Sequence, residues 1–227
     1  MHPPTEPVPL RELFARAGRL LSRRAALYSG ATIAALLLQI ALVYSDLLVP
    51  VAAGLVCSSI VLPMVAAIVY GFGASDDNGD ELPAAAIWSR IAERIWAVVV
   101  IDLALNMLQV VAAVFGVDGG TSFFFGFGFL LLATILAFAE IHAIDAPGLG
   151  TLQLVPQSIL ASARIALTRV GYMRGLGLVF AQTIPILLAG TPLVGLFLQT
   201  ALTVPVAALT VVFYRDCLAM QKRAAGD

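Results

Sequence analysis

Long apolar stretches, separated by short polar connections, run along the chain from residue 27 to residue 214. A helix needs about 20 mostly apolar residues to cross a bilayer core of about 30 Å. Six stretches meet this requirement and predict membrane spans at 27–44, 47–70, 95–115, 122–141, 171–190 and 192–214. All six belong to a single membrane domain, residues 1–227, which begins with a disordered lead at 1–9.

Short breaks within the apolar stretches predict that the spans form three hairpins. Asp46 separates the first pair of spans, a Gly- and Asp-rich turn at 117–120 separates the second, and a Gly-Thr-Pro turn at 190–192 separates the third. Longer polar connections at 71–94 and 142–170 join one hairpin to the next. The predicted fold is therefore an all-α, polytopic membrane helix bundle of six transmembrane helices.

Composition supports this fold class. Apolar residues make up 60% of the chain and charged residues 12%, whereas soluble domains average about 45–50% and about 25%. The mean hydropathy of +0.97 excludes a water-soluble fold. A net charge of −1 gives no support for nucleic-acid binding. Cys57 and Cys217 lie far apart, on no metal-ligand spacing, and are expected to be free thiols.

An amphipathic segment that carries arginine precedes each predicted hairpin. The first covers residues 10–26, and similar patterns occur at 87–95 and 159–170. We expect these helices to lie in the membrane interface, where each arginine near an anionic leaflet contributes about 1 kcal/mol. The arginines expected to face lipid are Arg11, Arg16, Arg19, Arg23, Arg164 and Arg169.

The positions of the basic residues predict the orientation. All 13 Lys and Arg residues fall on one side of the six spans, and this side is expected to be cytoplasmic. Both termini are therefore predicted to be inside, and the location is predicted to be a bacterial cytoplasmic (inner) membrane.

Asp102 is the most informative single residue. It lies inside the predicted span 95–115, where an ionisable group costs about 2.5–3.5 kcal/mol on insertion scales. Asn106 and Gln109 follow at i+4 and i+7 and share its helix face. One interpretation is a substrate or proton path, to which Glu140 adds a second acid. The other is structural, with the amides bonded to neighbouring helices and Asp102 paired to an arginine such as Arg94.

No motif predicts an enzyme, a metal site or a cofactor. Glu140, His142 and Asp145 end the fourth span, but one histidine with scattered carboxylates falls short of the three or four convergent ligands of typical sites. No phosphate-binding glycine loop occurs in the chain. We therefore expect no catalytic residues and no cofactor.

The chain closes its last span with Phe213-Tyr214-Arg215-Asp216. Together with the arginine-bearing interfacial segments and proline-bearing hairpins, this ending resembles bacterial six-span families related to the membrane domain fused to some glycerophosphodiester phosphodiesterases. The resemblance covers most of the chain as a layout, and it implies a membrane domain of unassigned activity.

Two functions follow from these patterns. The first is a non-enzymatic accessory or lipid-interacting component, whose partners are membrane lipids, a second membrane protein or another copy of the chain. The alternative is a small transporter or substrate-binding membrane subunit that uses the polar face of Asp102, Asn106 and Gln109. A water-filled cavity at Asp102 between proline-bearing helices would favour the alternative, whereas Asp102 paired to arginine in a dry bundle would exclude it.

Overall fold

A computed structural model of the protein describes residues 7–45, 50–79, 82–114, 119–146, 151–188 and 192–225. The helices are α1 (Leu10–Arg23), α2 (Ala25–Tyr44), α3 (Pro50–Val56), α4 (Leu62–Asn78), α5 (Ala84–Val114), α6 (Gly119–Leu136), α7 (Ala139–Asp145), α8 (Thr151–Ala166), α9 (Arg169–Leu188) and α10 (Pro192–Ala225). No strand occurs within the described ranges. The predicted all-α class is confirmed.

Four stretches of the described residues are long and apolar enough to cross a membrane: Ala25–Tyr44, Ala52–Asp77, Gly126–Asp145 and Phe197–Ala225. They overlap the predicted first, second, fourth and sixth spans. Residue 46, residues 117–118 of the second predicted turn, residues 190–191 of the third and residues 1–6 of the lead lie outside the described residues. The remaining turn residues are helical, since α6 begins at Gly119 and α10 at Pro192.

A π-helical turn, Cys57–Val61, joins α3 to α4. Pro63 accounts for it, because proline has no N–H and its ring clashes with the carbonyl of the residue four positions earlier, here Ser59. In the wider turn the N–H of Leu62 instead bonds to the carbonyl of Cys57, five residues back. The helix therefore continues through its proline, and the π-helical turn marks a local irregularity of the kind often found at functional sites.

The prediction that a polar connection begins at residue 71 is wrong, because α4 continues to Asn78. The helix ends at Gly79, whose φ of 71° is left-handed. The glycines that suggested a loop serve close packing instead. A Cβ on Gly71 would lie 2.6 Å from the side chain of Ile91 on α5. A Cβ on Gly73 would lie 3.3 Å from Val211 on α10.

Ion pairs fix α1 to the end of α4. The Arg16 guanidinium bonds to both carboxylate oxygens of Asp77 at 2.8 and 2.9 Å, and Arg24 bonds to Asp76 at 3.0 and 3.1 Å. The hydrogen bond to Asp76 raises the pKa of Arg24 above its usual value. The apolar face of α1, formed by Leu13, Ala17 and Leu20, is buried, mainly against α10. This face therefore packs on protein.

The two other amphipathic segments also pack against the bundle. The segment at 87–95 is continuous with the predicted third span in the 31-residue helix α5. Its Ile87 and Ile91 are buried, and its Trp88 ring meets Phe72 of α4 edge to face, with ring centroids 5.3 Å apart. The segment at 159–170 belongs mostly to α8, a separate helix that buries Leu154 and Ile165.

A turn at residues 137–138 breaks the predicted fourth span into α6 and α7. Ser162 of α8 bridges this break, because its Oγ donates to the Ile135 carbonyl at 2.6 Å and accepts from the Phe138 N–H at 3.1 Å. On the other side, α9 approaches so closely that a Cβ on Gly175 would lie 2.8 Å from the Thr134 carbonyl oxygen. Two neighbouring helices therefore hold the break.

Candidate functional site

A cavity of about 360 Å³ lies among α4, α5, α6, α7, α9 and α10. Apolar side chains, among them Leu62, Leu105, Phe129 and Leu202, form part of its wall. The main polar groups that line it are Tyr70, Asp102, Asn106, Glu140, Gln182, Thr183, Gln199, Thr203 and Thr210. This volume is near the lower end of the range for small-molecule pockets, about 300–1,000 Å³, and such pockets share this mixed lining.

Asp102 and Asn106 reach the cavity from α5, one helical turn apart. The Asn106 amide donates to Asp102 Oδ2 at 2.7 Å and to Ser59 Oγ at 3.0 Å. Because Ser59 belongs to the π-helical turn beside Pro63, the irregular backbone there supplies the partner that orients Asn106. The side chain of Gln109, the third residue of the predicted polar face, lies outside the described residues.

Glu140 brings a second carboxyl group into the cavity from the first turn of α7. The hydroxyl of Tyr70 on α4 donates to Glu140 Oε2 at 3.3 Å. Asp102 and Glu140 therefore line the same cavity, from α5 and from α7. The break at 137–138, bridged by Ser162, determines where α7 begins and therefore where Glu140 enters the cavity.

The predicted pairing of Asp102 with Arg94 is wrong. Arg94 Nη1 donates to backbone carbonyls at the end of α7, at 3.0 Å to Ile144 and also to Ala146. Burial lowers the pKa of Arg94. Among the described residues, neither Asp102 nor Glu140 forms a salt bridge. The carbonyl groups at the end of a helix lack partners within the helix, and the Arg94 guanidinium provides donors for those of α7.

Two prolines inside the proposed spans bear on the cavity. Pro63 lines it directly, and Pro205 interrupts the hydrogen bonding of α10 between the lining residues Thr203 and Ala207. The Thr203 hydroxyl donates back to the Gln199 carbonyl at 2.9 Å. The side chain of Pro185 lies outside the described residues. Proline-bearing helices thus surround the cavity on two sides.

His142 and Asp145, which follow Glu140 on α7, have different partners from it. The Nδ1 atom of His142 lies 2.7 Å from the hydroxyl of Tyr214, and Asp145 accepts from Arg215 at 2.7 Å. The described residues contain no group of three or more His, Cys, Asp and Glu that could hold a metal ion. Of Glu140, His142 and Asp145, only Glu140 lines the cavity.

The closing Tyr214, Arg215 and Asp216 form a junction between helices. Tyr214 and Arg215 bind α7, as described above, and the buried carboxylate of Asp216 pairs with the buried guanidinium of Arg174 on α9. Arg174 also lies over the ring of Phe213, with its Cζ 5.5 Å from the ring centroid. Sequence reasoning noted the ending but missed its partners, since nothing in a single sequence links residues 42 positions or more apart.

The arginines expected to face lipid differ in their surroundings. Arg11, Arg19, Arg23, Arg164 and Arg169 are exposed, whereas Arg16 is half-buried in its ion pair with Asp77. Arg23 also donates to the backbone carbonyl of Asp76 at 3.1 Å. The first amphipathic segment therefore uses part of its positive charge for attachment to α4.

Gln39 and Thr200 form a buried polar contact that the sequence did not reveal. Both side chains are fully buried between α2 and α10, and the Gln39 Nε2 and Thr200 Oγ1 atoms lie 2.6 Å apart. Neither residue lines the cavity. The pair joins α2, which is otherwise mostly exposed, to the bundle.

No family model, curated protein or solved structure matches the chain. The resemblance to six-span bacterial membrane domains stays a prediction.

Proposed function

We propose that the chain crosses the membrane six times, with both termini on the cytoplasmic side of a bacterial inner membrane. The two further spans would be α5 and α9, which contain 31 and 20 residues. In the sequence, α5 lies between the second and third candidate spans and α9 between the third and fourth. Exposed apolar side chains on α2 suit contact with lipid; they include Ile33, Leu37 and Leu38. The interhelical ion pairs of Arg16, Arg24, Arg174 and Arg215 then lie at the cytoplasmic ends of the spans.

Within this arrangement, we propose that the protein is a small transporter or the substrate-binding subunit of one. The observation that carries this proposal is the cavity, into which Asp102 and Glu140 project without an arginine partner among the described residues. Ionisable groups in a membrane bundle are costly, and they typically mark a pathway or a binding site. An accessory or scaffold role would not require such a site.

The helices around the cavity support the same function. The π-helical turn at Cys57–Val61, the break at 137–138 and Pro205 place three irregular backbone segments beside one cavity. Irregular backbone at membrane depth is tolerated where it is buried in protein or lines a cavity, and discontinuous helices form the substrate sites of many transporters. These segments are also the places where a packed bundle can change shape with the fewest hydrogen bonds lost.

Equilibrium dialysis against a small-molecule extract tests the function. The purified protein in lipid nanodiscs is compared with Ala133→Phe, which fills the cavity, and with Leu132→Phe, which changes an exposed neighbour on the same helix. Mass spectrometry should find a solute retained by the wild type and by Leu132→Phe and lost from Ala133→Phe. Equal retention by all three proteins, or retention by none, would contradict a solute-binding cavity.

A further inference from the structure

The charge of the cavity is unbalanced. Asp102 and Glu140 line it, and no Lys, Arg or His is among the described residues that do. The arginines that approach this part of the bundle are already used, by the carbonyls at the end of α7 for Arg94, by Asp145 for Arg215 and by Asp216 for Arg174. Two carboxyl groups that share one cavity in a membrane bundle are stabilised in their charged form by a nearby positive charge.

Donors on side chains that contact the two carboxyl groups are already used. Tyr70 donates to Glu140, and Asn106 donates to Asp102 and to Ser59. The hydroxyl groups of Thr203 and Thr210 donate to carbonyls of their own helix. A hydroxyl group has one proton to donate but can still accept. The groups that remain for a ligand on these side chains are therefore mostly acceptors, concentrated on two carboxyl groups.

From this imbalance we infer that the ligand of the cavity is a small organic ammonium ion. The inference rests on the proposed solute-binding function and specifies the chemistry of the solute. A protonated amine supplies the positive charge that the described lining lacks, and it brings two or three N–H donors for the two carboxyl groups. Its charged head lies between Asp102 and Glu140, and its carbon body contacts the apolar wall.

The walls favour an organic cation over a bare metal ion. About 360 Å³ is many times the space of one ion, and the described residues hold no group of three or more ionisable ligands. Hard cations such as Ca²⁺ require about six to eight converging oxygen ligands. Leu62, Leu105 and Phe129 instead offer apolar contact, and the aromatic faces of Tyr70 and Phe129 can attract a cationic head.

Protection of a reporter thiol in the cavity tests the inference. Gln199→Cys is made in a parent that carries Cys57→Ala and Cys217→Ser, and Ser22→Cys, an exposed polar position on α1 outside the cavity, is the control. Alkylation of each thiol by a water-soluble maleimide is timed in nanodiscs at neutral pH. The probes are butylammonium, butanol and butyrate, which share a four-carbon chain and differ in charge.

Butylammonium should slow alkylation of Gln199→Cys at concentrations where butanol and butyrate have no effect. Asp102→Asn and Glu140→Gln, each added to the reporter, should weaken this protection by about tenfold to a hundredfold, the loss of one charge-assisted hydrogen bond. Butanol, the neutral member of the series, controls for apolar binding. Alkylation of Ser22→Cys should be slowed by none of the probes.

Two contrary outcomes are distinguishable. If Gln199→Cys is alkylated but butanol or butyrate protects it as well as butylammonium does, the cationic ligand is refuted while a solute-binding cavity stands. If Gln199→Cys is no more reactive than the parent, the cavity excludes water, and the proposed function fails together with the inference.

Discussion

Replacement of Ser162 by alanine should destabilise the protein out of proportion to the one atom removed. Ser162 Oγ satisfies two backbone groups at the break between α6 and α7, the Ile135 carbonyl at 2.6 Å and the Phe138 N–H at 3.1 Å. The side chains of Ser162 and Phe138 are both fully buried. Water therefore cannot easily replace the hydroxyl group, and both backbone groups lose a partner in Ser162→Ala.

The size of the effect follows from this count. A buried polar group left without a partner costs about 1–3 kcal/mol, so two such groups with partial relaxation should lower the free energy of unfolding by about 2–4 kcal/mol. Ser158 provides a matched control, because it lies one turn earlier on α8 and is also fully buried, yet its hydroxyl oxygen has no hydrogen-bond partner in the described part of the chain. Ser158→Ala should be neutral or slightly stabilising.

Unfolding by sodium dodecyl sulfate in mixed micelles, followed by the fluorescence of Trp88 and Trp96, measures both variants. Ser162→Ala should also weaken any ligand binding, because Glu140 enters the cavity two residues after the bridged N–H of Phe138. If the two alanine variants have the same free energy of unfolding, Ser162 does not hold the break, and the account of how Glu140 is positioned is refuted.

Two further predictions concern packing elsewhere in the bundle. Gly71→Ala should lower the free energy of unfolding by about 1–3 kcal/mol through overpacking, because its Cβ would lie 2.6 Å from the Ile91 side chain. Adding Ile91→Ala should relieve part of that cost. Gly30→Ala is the control and should cost far less, because the space around Gly30 is open. A double-mutant cycle of Gln39→Leu and Thr200→Val, measured in the same unfolding assay, should give a coupling energy of about 0.6–1.7 kcal/mol, as for other hydrogen bonds between membrane helices. A coupling energy of zero would show that the 2.6 Å contact between these side chains does not stabilise the packing of α2 on α10.

Hydropathy was sufficient to predict the helical class, because a bilayer leaves few alternatives to long apolar helices. It was less reliable at the ends of helices. Gly71 and Gly73 suggested a loop, yet they allow α5 and α10 to approach α4. Glycine carries the same letter whether it serves a turn or a close contact, and only the position of the neighbouring helix distinguishes the two.

The candidate site was predictable in part. Asp102 and Asn106 were recognisable because polar side chains at i and i+4 within an apolar stretch must face something other than lipid. The partner assigned to Asp102 was wrong, since the sequence could not show that the end of α7 would bind Arg94. Ser162 gave no signal either, because a serine on an amphipathic helix is indistinguishable in sequence from one that faces solvent.

Water should reach Asp102 inside the bundle, and a pair of adjacent cysteines on α5 can show whether it does. Asn106 lines the cavity, whereas Met107 is 41% exposed on the outer surface of the bundle and is expected to face lipid. In the parent with Cys57→Ala and Cys217→Ser, a charged methanethiosulfonate reagent applied to membranes requires a thiolate, which forms in water and is suppressed in apolar surroundings. Asn106→Cys should be modified and Met107→Cys should be protected. Protection of both positions would show a dry bundle around Asp102 and rule out a hydrated cavity there.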